Sequence, residues 1–324
     1  MKLQILVPQY KEDEKVIKPL LDSIALQQYV DPEDYSVIIC NDGTDVILDR
    51  DFLNGYPFDV FYMMMATHSG VSAVRNALMD AASADYIMYC DADDMFSSSC
   101  GLWAIFEEIK KGQFDIFISA FSEETRTADG KRIFVNHEYD GTFVHGKVHR
   151  LAYLRENNIR WREDMTVHED GYFNLLAKGL TENDRYCPML FYLWKWNDNS
   201  TCRSDPEYLL KTYSGMIEQD QALADEFIRR GKVDAAKYYV TCGVYDVFFT
   251  LNEPMWVEAK NKPYRDALER RFKMFIREYG PLWESIDKKT EIQVIKDYRK
   301  KMNRAGVWME STAFSDWIRR MKYE

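Results

Sequence analysis

Asp85-Tyr86-Ile87-Met88-Tyr89-Cys90-Asp91-Ala92-Asp93-Asp94 is the stretch that decides the fold. Its first half is a short apolar run, which reads as a buried β-strand. Its end places three carboxylates within four residues. Such acids repel one another unless a cation or solvent relieves them. Hard divalent cations prefer oxygen ligands, and Mg²⁺ or Mn²⁺ commonly bridges a carboxylate to a diphosphate. An isolated D-x-D-D is more often a solvated acidic loop that caps the next helix. A buried strand that delivers acids at its carboxyl end is instead a ligand-site geometry in an α/β sheet.

Working outward, the neighbouring segments alternate between strand and helix. Gln4 to Val7, Tyr35 to Cys40, Val60 to Met65 and Asp115 to Ala120 are further apolar runs. Between them, Val16 to Gln28 carries an apolar helical stripe, Ser72 to Ala84 is Ala-rich, and Cys100 to Lys111 reads as a helix. Strands alternating with helices predict βαβ units and a mostly parallel α/β sheet. Thr125 to Asn136 reads as a polar hairpin turning at Ala128-Asp129-Gly130-Lys131, and Phe191 to Trp196 as a last strand. From about Asp205 the pattern is helical, with apolar residues such as Tyr238, Cys242, Tyr245, Phe248 and Phe249 at helical spacing; Pro254, Pro263 and Pro281 mark expected breaks. The reading is a domain over 1–205 and a helical domain or extension over 206–324.

Composition narrows the class. The chain has 324 residues, 46% of them hydrophobic and 15% aromatic, and a net charge of -11. A large core is expected and disorder is not. The acidic balance argues against a protein whose main task is coating nucleic acid. No apolar run reaches the roughly 18 residues that span a bilayer, and the N-terminus lacks a signal-peptide pattern. The expectation is a cytoplasmic protein. Its six cysteines contain no C-x-x-C pair, so a zinc site of ordinary spacing is not indicated.

Other segments offer polar groups at strand and helix ends. Asn41-Asp42-Gly43-Thr44-Asp45 ends the second strand; it is a favoured tight turn, and Asp42 could also accept a nucleobase N–H. His68 to Asn76 opens the Ala-rich helix. Gly70 allows close backbone approach, Ser72 can cap, and Arg75 adds a planar donor near N–H groups that suit an anion. His168-Glu169-Asp170-Gly171 reads as acids at a helix start or as the seat of a general base. His145 and His149 lie i, i+4, which on a helix would put both rings on one face. Lys147 and Arg150 in the same segment could equally face phosphate.

In this order the motifs resemble the inverting family 2 glycosyltransferases, whose fold is GT-A. Leu6-Val7-Pro8-Gln9-Tyr10 is similar to the family's opening strand. Asn41 to Asp45 is similar to its second-strand motif, one residue short, and Gly70 to Asn76 to its G-x-S-x-A-R-N helix start. Asp85 to Asp94 resembles the strand leading into D-x-D, and Gly146 to Arg150 its G-K-L-Y-R segment. Asn157 to Trp161 resembles the stretch that follows, Glu169-Asp170 the E-D pair, and Tyr192 to Ser200 a later basic segment. The resemblance covers roughly residues 1 to 205; Lys11 stands where the family's Asn is usual.

It implies a Rossmann-like, mostly parallel mixed sheet flanked by helices, with the C-terminal helical region added. It also implies transfer of a sugar, most often from a UDP-sugar, to an acceptor hydroxyl with inversion. On that resemblance Asp93 would hold Mn²⁺ or Mg²⁺, with Asp91 or Asp94 nearby, and Asp91 would meet the ribose or the metal shell. The Pro8–Tyr10 loop would pack on the nucleobase, Asp42 would accept the base N–H, and Gly70 and Arg75 would lie close to the nucleotide. Asp170, paired with Glu169, would take the acceptor proton. Trp161, Trp194 and Trp196 could stack on sugar faces.

A sugar-phosphate nucleotidyltransferase shares this layout, but the loop after the first strand has no glycine and is acidic. A non-catalytic assembly protein is a third reading. The acceptor class stays open among carbohydrate, lipid-linked sugar, protein and modified nucleobase, and the C-terminal helices could form a homo-oligomer surface. The tail also qualifies the charge. Residues 286–324 carry ten basic and six acidic side chains, a local +4 against -15 elsewhere, so an anionic acceptor is not excluded.

Overall fold

The computed structural model describes residues 2–127, 129–165, 167–198, 200, 208–253, 256, 258–304 and 311–323. The chain divides into two compact units, Met1–Asp198 and Asn199–Glu324.

The first unit is a nine-stranded sheet with helices between its strands. Its elements are β1 (Leu3–Gln9), α1 (Glu14–Ala25), β2 (Tyr35–Asn41), α2 (Arg50–Asn54), β3 (Asp59–Met64), α3 (Val71–Ala81), β4 (Tyr86–Tyr89), β5 (Met95–Phe96) and α4 (Gly101–Lys110). They continue as β6 (Ile116–Arg126), β7 (Arg132–His137), β8 (Lys147–Arg150), α5 (Leu151–Glu156), α6 (Glu169–Gly179) and β9 (Asp184–Trp194). The strand order is β3-β2-β1-β4-β8-β6-β9-β5, with β7 paired to β6. β1, β2, β3 and β4 run parallel, and β8 is antiparallel to both β4 and β6. This is the mixed, mostly parallel α/β architecture that the strand–helix alternation predicts.

Burial explains the order. β2 and β4 are buried along their whole length, as central parallel strands covered on both faces must be. The stripe Ile17, Leu20, Leu21 and Ile24 of α1 joins the same core as Ile5, Val7, Val37 and Met88. The chain turns from β1 to β2 and β3 on one side and to β4 on the other. The carboxyl ends of β1 and β4 therefore flank the point where strand order reverses, which is where such sheets bind ligands.

Several sequence expectations change. The segment with His145 and His149 is not helical: Lys147–Arg150 is a strand, so the two imidazoles share no helix face. Ser72 does not cap α3; Gly70 is its N-cap, at φ 89, and the Ser72 hydroxyl is buried without a partner among the described residues. A Cβ at Gly70 would meet nothing within 4 Å. Its glycine thus serves a positive-φ backbone, with no neighbouring atom of the chain crowding it. Gly43 is the close-approach glycine: at φ +67, a Cβ there would lie 2.4 Å from the Thr67 carbonyl carbon.

The second unit is helical throughout its described elements: α7 (Tyr208–Arg229), α8 (Val233–Asn252), α9 (Lys262–Glu284), α10 (Lys288–Arg304) and α11 (Ser311–Tyr323). α8 is its central element, buried at Val240, Val244, Phe248 and Leu251 among others. Pro263 sits at the start of α9, where its missing N–H costs nothing. Pro281 makes no break; it lies inside the last turn of the same helix. Pro254 lies outside the described residues. No helix among those described is long and apolar enough to cross a membrane.

Candidate active site

The acid turn is held from below by one hydroxyl. Tyr192, fully buried on β9, donates its O–H to Asp94 Oδ2 at 2.6 Å and accepts the Asp91 backbone N–H at 3.1 Å. The other Asp94 oxygen accepts the Lys195 N–H at 2.9 Å. Burial, with Asp91 and Asp93 close by, pushes the Asp94 carboxyl well above the usual range, although Tyr192 and Lys195 favour its charge. Asp93 faces another way and accepts from Asn197 Nδ2 at 2.7 Å.

His145 completes this group. Its ring lies between Phe143, Tyr192 and Trp194, with centroids 5.0–5.7 Å away. Burial, then Lys147 and Arg75, drives its pKa well below the ordinary value, so the imidazole is neutral. Its Nδ1 is buried, has no hydrogen-bond partner among the described residues, and is 3.8 Å from Asp94 Oδ2. Donor atoms of Asp91, Asp94 and His145 all lie within 4.8 Å of one another. Two carboxylates and a neutral imidazole with an unused lone pair fit a divalent cation. Asp93 is not in that cluster. Sequence spacing linked His145 to His149, yet His149 lies against Phe173 instead, with ring centroids 5.4 Å apart. Gly146, at a positive φ of 66, turns the chain between His145 and β8.

Arg75 joins the acid turn to the Glu169-Asp170 pair. It leaves α3 buried, donates to Asp91 Oδ1 at 3.1 Å and to Glu169 Oε1 at 3.3 Å, and lies 4.5 Å over the Trp161 ring. Burial works against its charge, but Asp91, Glu169 and Asp170 outweigh that and hold its pKa above the ordinary value. Trp161 is itself core: it is 3% exposed and stacks on Phe173 at 4.2 Å. It presents no face for a sugar.

Glu169 and Asp170 form the first turn of α6, after His168 in a left-handed conformation. Burial and the Glu169 charge raise the Asp170 carboxyl, Arg75 pulls it back, and the balance lies at about 6. That is a value suited to a base working near neutral pH.

Asp42 organises the loop that leads into α3. It is 3% exposed and accepts Ser69 N–H at 2.7 Å, Gly70 N–H at 3.0 Å and His68 Nδ1 at 2.7 Å. A carboxylate has about four acceptor positions. Three are spent on the 68–70 loop, which leaves one. Tyr10, next to half-buried Pro8, is 40% exposed and lies 4.6 Å from the His68 ring, an aromatic surface beside Asp42. Gln9 is buried and bonds the Glu12 and Val46 carbonyls, which fixes the loop that carries Tyr10.

The sequence pattern of glycosyl transferase family 2 matches residues 4–176, just over half of the chain. The chain is 27% identical over 190 residues to a poly(ribitol-phosphate) beta-glucosyltransferase of Bacillus spizizenii, 55% of this chain but 29% of that protein. It is 28% identical over 243 residues to the uncharacterized glycosyltransferase EpsJ of Bacillus subtilis, 66% of this chain and 68% of that one. The chain thus spans under a third of the length of the first relative. In structure it resembles S. aureus TarS 1–349, also solved with UDP-GlcNAc, at a TM-score of 0.63 and 17% identity. That match covers 96% of this chain and 93% of TarS 1–349, and the complex gives the same TM-score. The fold is GT-A-like, and the chain belongs to glycosyl transferase family 2.

Proposed function

We propose that the protein is an inverting glycosyltransferase that moves a sugar from a UDP-sugar to a hydroxyl of a polyol-phosphate polymer, with Asp170 as general base. The observation that carries this reading is Arg75, which joins the acid turn of β4 to the Glu169-Asp170 pair. A donor site and a base are thereby held at one spacing.

Tyr10 and the last acceptor position of Asp42 are suited to a uracil ring and its N–H. Asp91, Asp94 and His145 would hold Mn²⁺ or Mg²⁺, with Asp93 beside them. The cation would supply positive charge to a leaving diphosphate. Asp170, unprotonated above about pH 6, takes the proton of the attacking hydroxyl, and Glu169 keeps Arg75 in place beside it. The acceptor class is supported by the named activity of the Bacillus spizizenii relative. The acidic loop after β1, which lacks glycine, weighs against a nucleotidyltransferase.

Asp170→Asn tests the assignment. UDP binding, read by thermal shift with Mn²⁺, is expected to stay within twofold. Transfer is expected to fall by about 10²–10⁴, the usual worth of a general base. Full transfer activity in this variant would remove Asp170 from the mechanism.

A further inference from the structure

We infer that a basic cleft in the helical unit, formed by Arg265, Arg319 and Arg320 over Phe248 and Trp317, is a binding site for the phosphate groups of the acceptor polymer. This deepens the function proposed above and rests on its acceptor class. The cleft has a volume of about 460 Å³, within the range of ordinary small-ligand sites. It forms where the end of α8, the first turn of α9 and the second half of α11 converge.

Among the described residues its charge is only partly cancelled. Arg265 and Arg320 share one carboxylate, Glu269, at 3.4 and 3.8 Å. Arg319 reaches Asp316 at 3.1 Å. Three guanidiniums therefore share two carboxylates, and each contact is longer than a full-strength charge-assisted bond. A guanidinium carries five N–H donors in a planar fork that matches phosphate. The three side chains are 32%, 74% and 48% exposed in chain order, so a ligand can reach them.

The arginines stand on packed core rings. Phe248 and Trp317 lie 5.1 Å apart, and Phe272 stacks beneath Trp317 at 4.7 Å. Phe248 and Trp317 are buried, at 3% and 8% exposed, so the guanidiniums above them are what a ligand reaches, and phosphate oxygens meet their planar forks. The charge distribution favours the same occupant. The first unit holds 19 Lys+Arg against 33 Asp+Glu and repels an anionic polymer; the second holds 23 against 20. The phosphates of such an acceptor find complementary charge in the helical unit.

The test uses the full chain and its Arg319→Gln/Arg320→Gln double variant. Calorimetric titrations measure poly(ribitol phosphate), polyglutamate as a phosphate-free polyanion, and UDP with Mn²⁺. Polymer affinity is expected to fall at least tenfold in the variant, with UDP affinity unchanged and polyglutamate bound weakly by both proteins. Retained UDP affinity shows that the variant is folded. Arg319→Lys/Arg320→Lys, which keeps charge but loses the fork, is expected to lie between the two. Equal polymer affinity in wild type and double variant would overturn the site. Polyglutamate binding as tight as the polymer would overturn phosphate recognition. A wild-type chain that binds UDP but not the polymer overturns the cleft and leaves the donor assignment standing. A chain that binds the polymer through these arginines but no nucleotide keeps the cleft and removes the donor assignment.

Discussion

Arg75 is the residue on which both halves of the site depend. Three carboxylates, Asp91, Glu169 and Asp170, act on one buried guanidinium. Removing one partner of such a group leaves buried charge uncompensated, at a cost of about 3–5 kcal/mol. The functional sign follows from Asp170. Its carboxyl sits at about 6 because Arg75 opposes burial and Glu169. The acid limb of kcat/KM is therefore expected near pH 6, falling about tenfold per unit below it. In Arg75→Gln the downward pull is gone, so the limb moves to higher pH. A pH–rate profile of both proteins checks this; a limb that stays in place would separate Arg75 from the base. The types of these residues are legible in sequence, because carboxylates at a strand end and at a helix start have few uses. Their pairing is not. Arg75 and Glu169 are 94 positions apart, and no periodicity links them. His145 is hidden for the same reason: its meaning lies in Asp94, reached only across β8 and β4.

At the scale of elements, legibility follows burial. β1, β2 and β4 are apolar runs closed by turns, and their sequences read as strands. β8 carries Lys147, His149 and Arg150 and looks like a charged segment, yet Lys147 and His149 are both buried there. The Lys147 ammonium donates to the Phe143 carbonyl, and burial brings its pKa down to about 8. A strand whose buried face is polar has no apolar pattern to announce it. β9 is longer than its apolar end suggests, because the half from Asp184 to Leu190 is only partly buried. That strand matters through Tyr192. Tyr192→Phe keeps the ring but removes the hydroxyl that holds Asp91 and Asp94. It leaves a buried carboxylate and an N–H short of a partner, at about 1–3 kcal/mol. The expected result is a lower midpoint in urea and a higher donor KM, with the acid limb of the pH profile unmoved. An unchanged donor KM would show that the acid turn keeps its shape without β9.

Over the whole molecule, charge is the property that the two units divide unequally. The first unit carries -14 and the second +3. Self-repulsion in an acidic unit is relieved generally by salt and specifically by a bound cation. The two effects are separable. Screening by NaCl acts on every exposed carboxylate and stays when one is removed. A cation at Asp91, Asp94 and His145 binds the folded chain alone, because unfolding scatters its ligands. At about a hundred times its Kd it would stabilise by about 2.7 kcal/mol, or about 5–10 °C for a unit of this size. Thermal melts with Mn²⁺, compared with NaCl at equal ionic strength, are therefore expected to show an extra upward shift that Asp91→Asn abolishes. The shift is also expected to shrink as pH falls, because protons compete for the raised carboxyl of Asp94. If Mn²⁺ and NaCl shift the melt equally, or Asp91→Asn keeps the Mn²⁺ increment, the acid turn is not a cation site and its crowding is met by protonation instead.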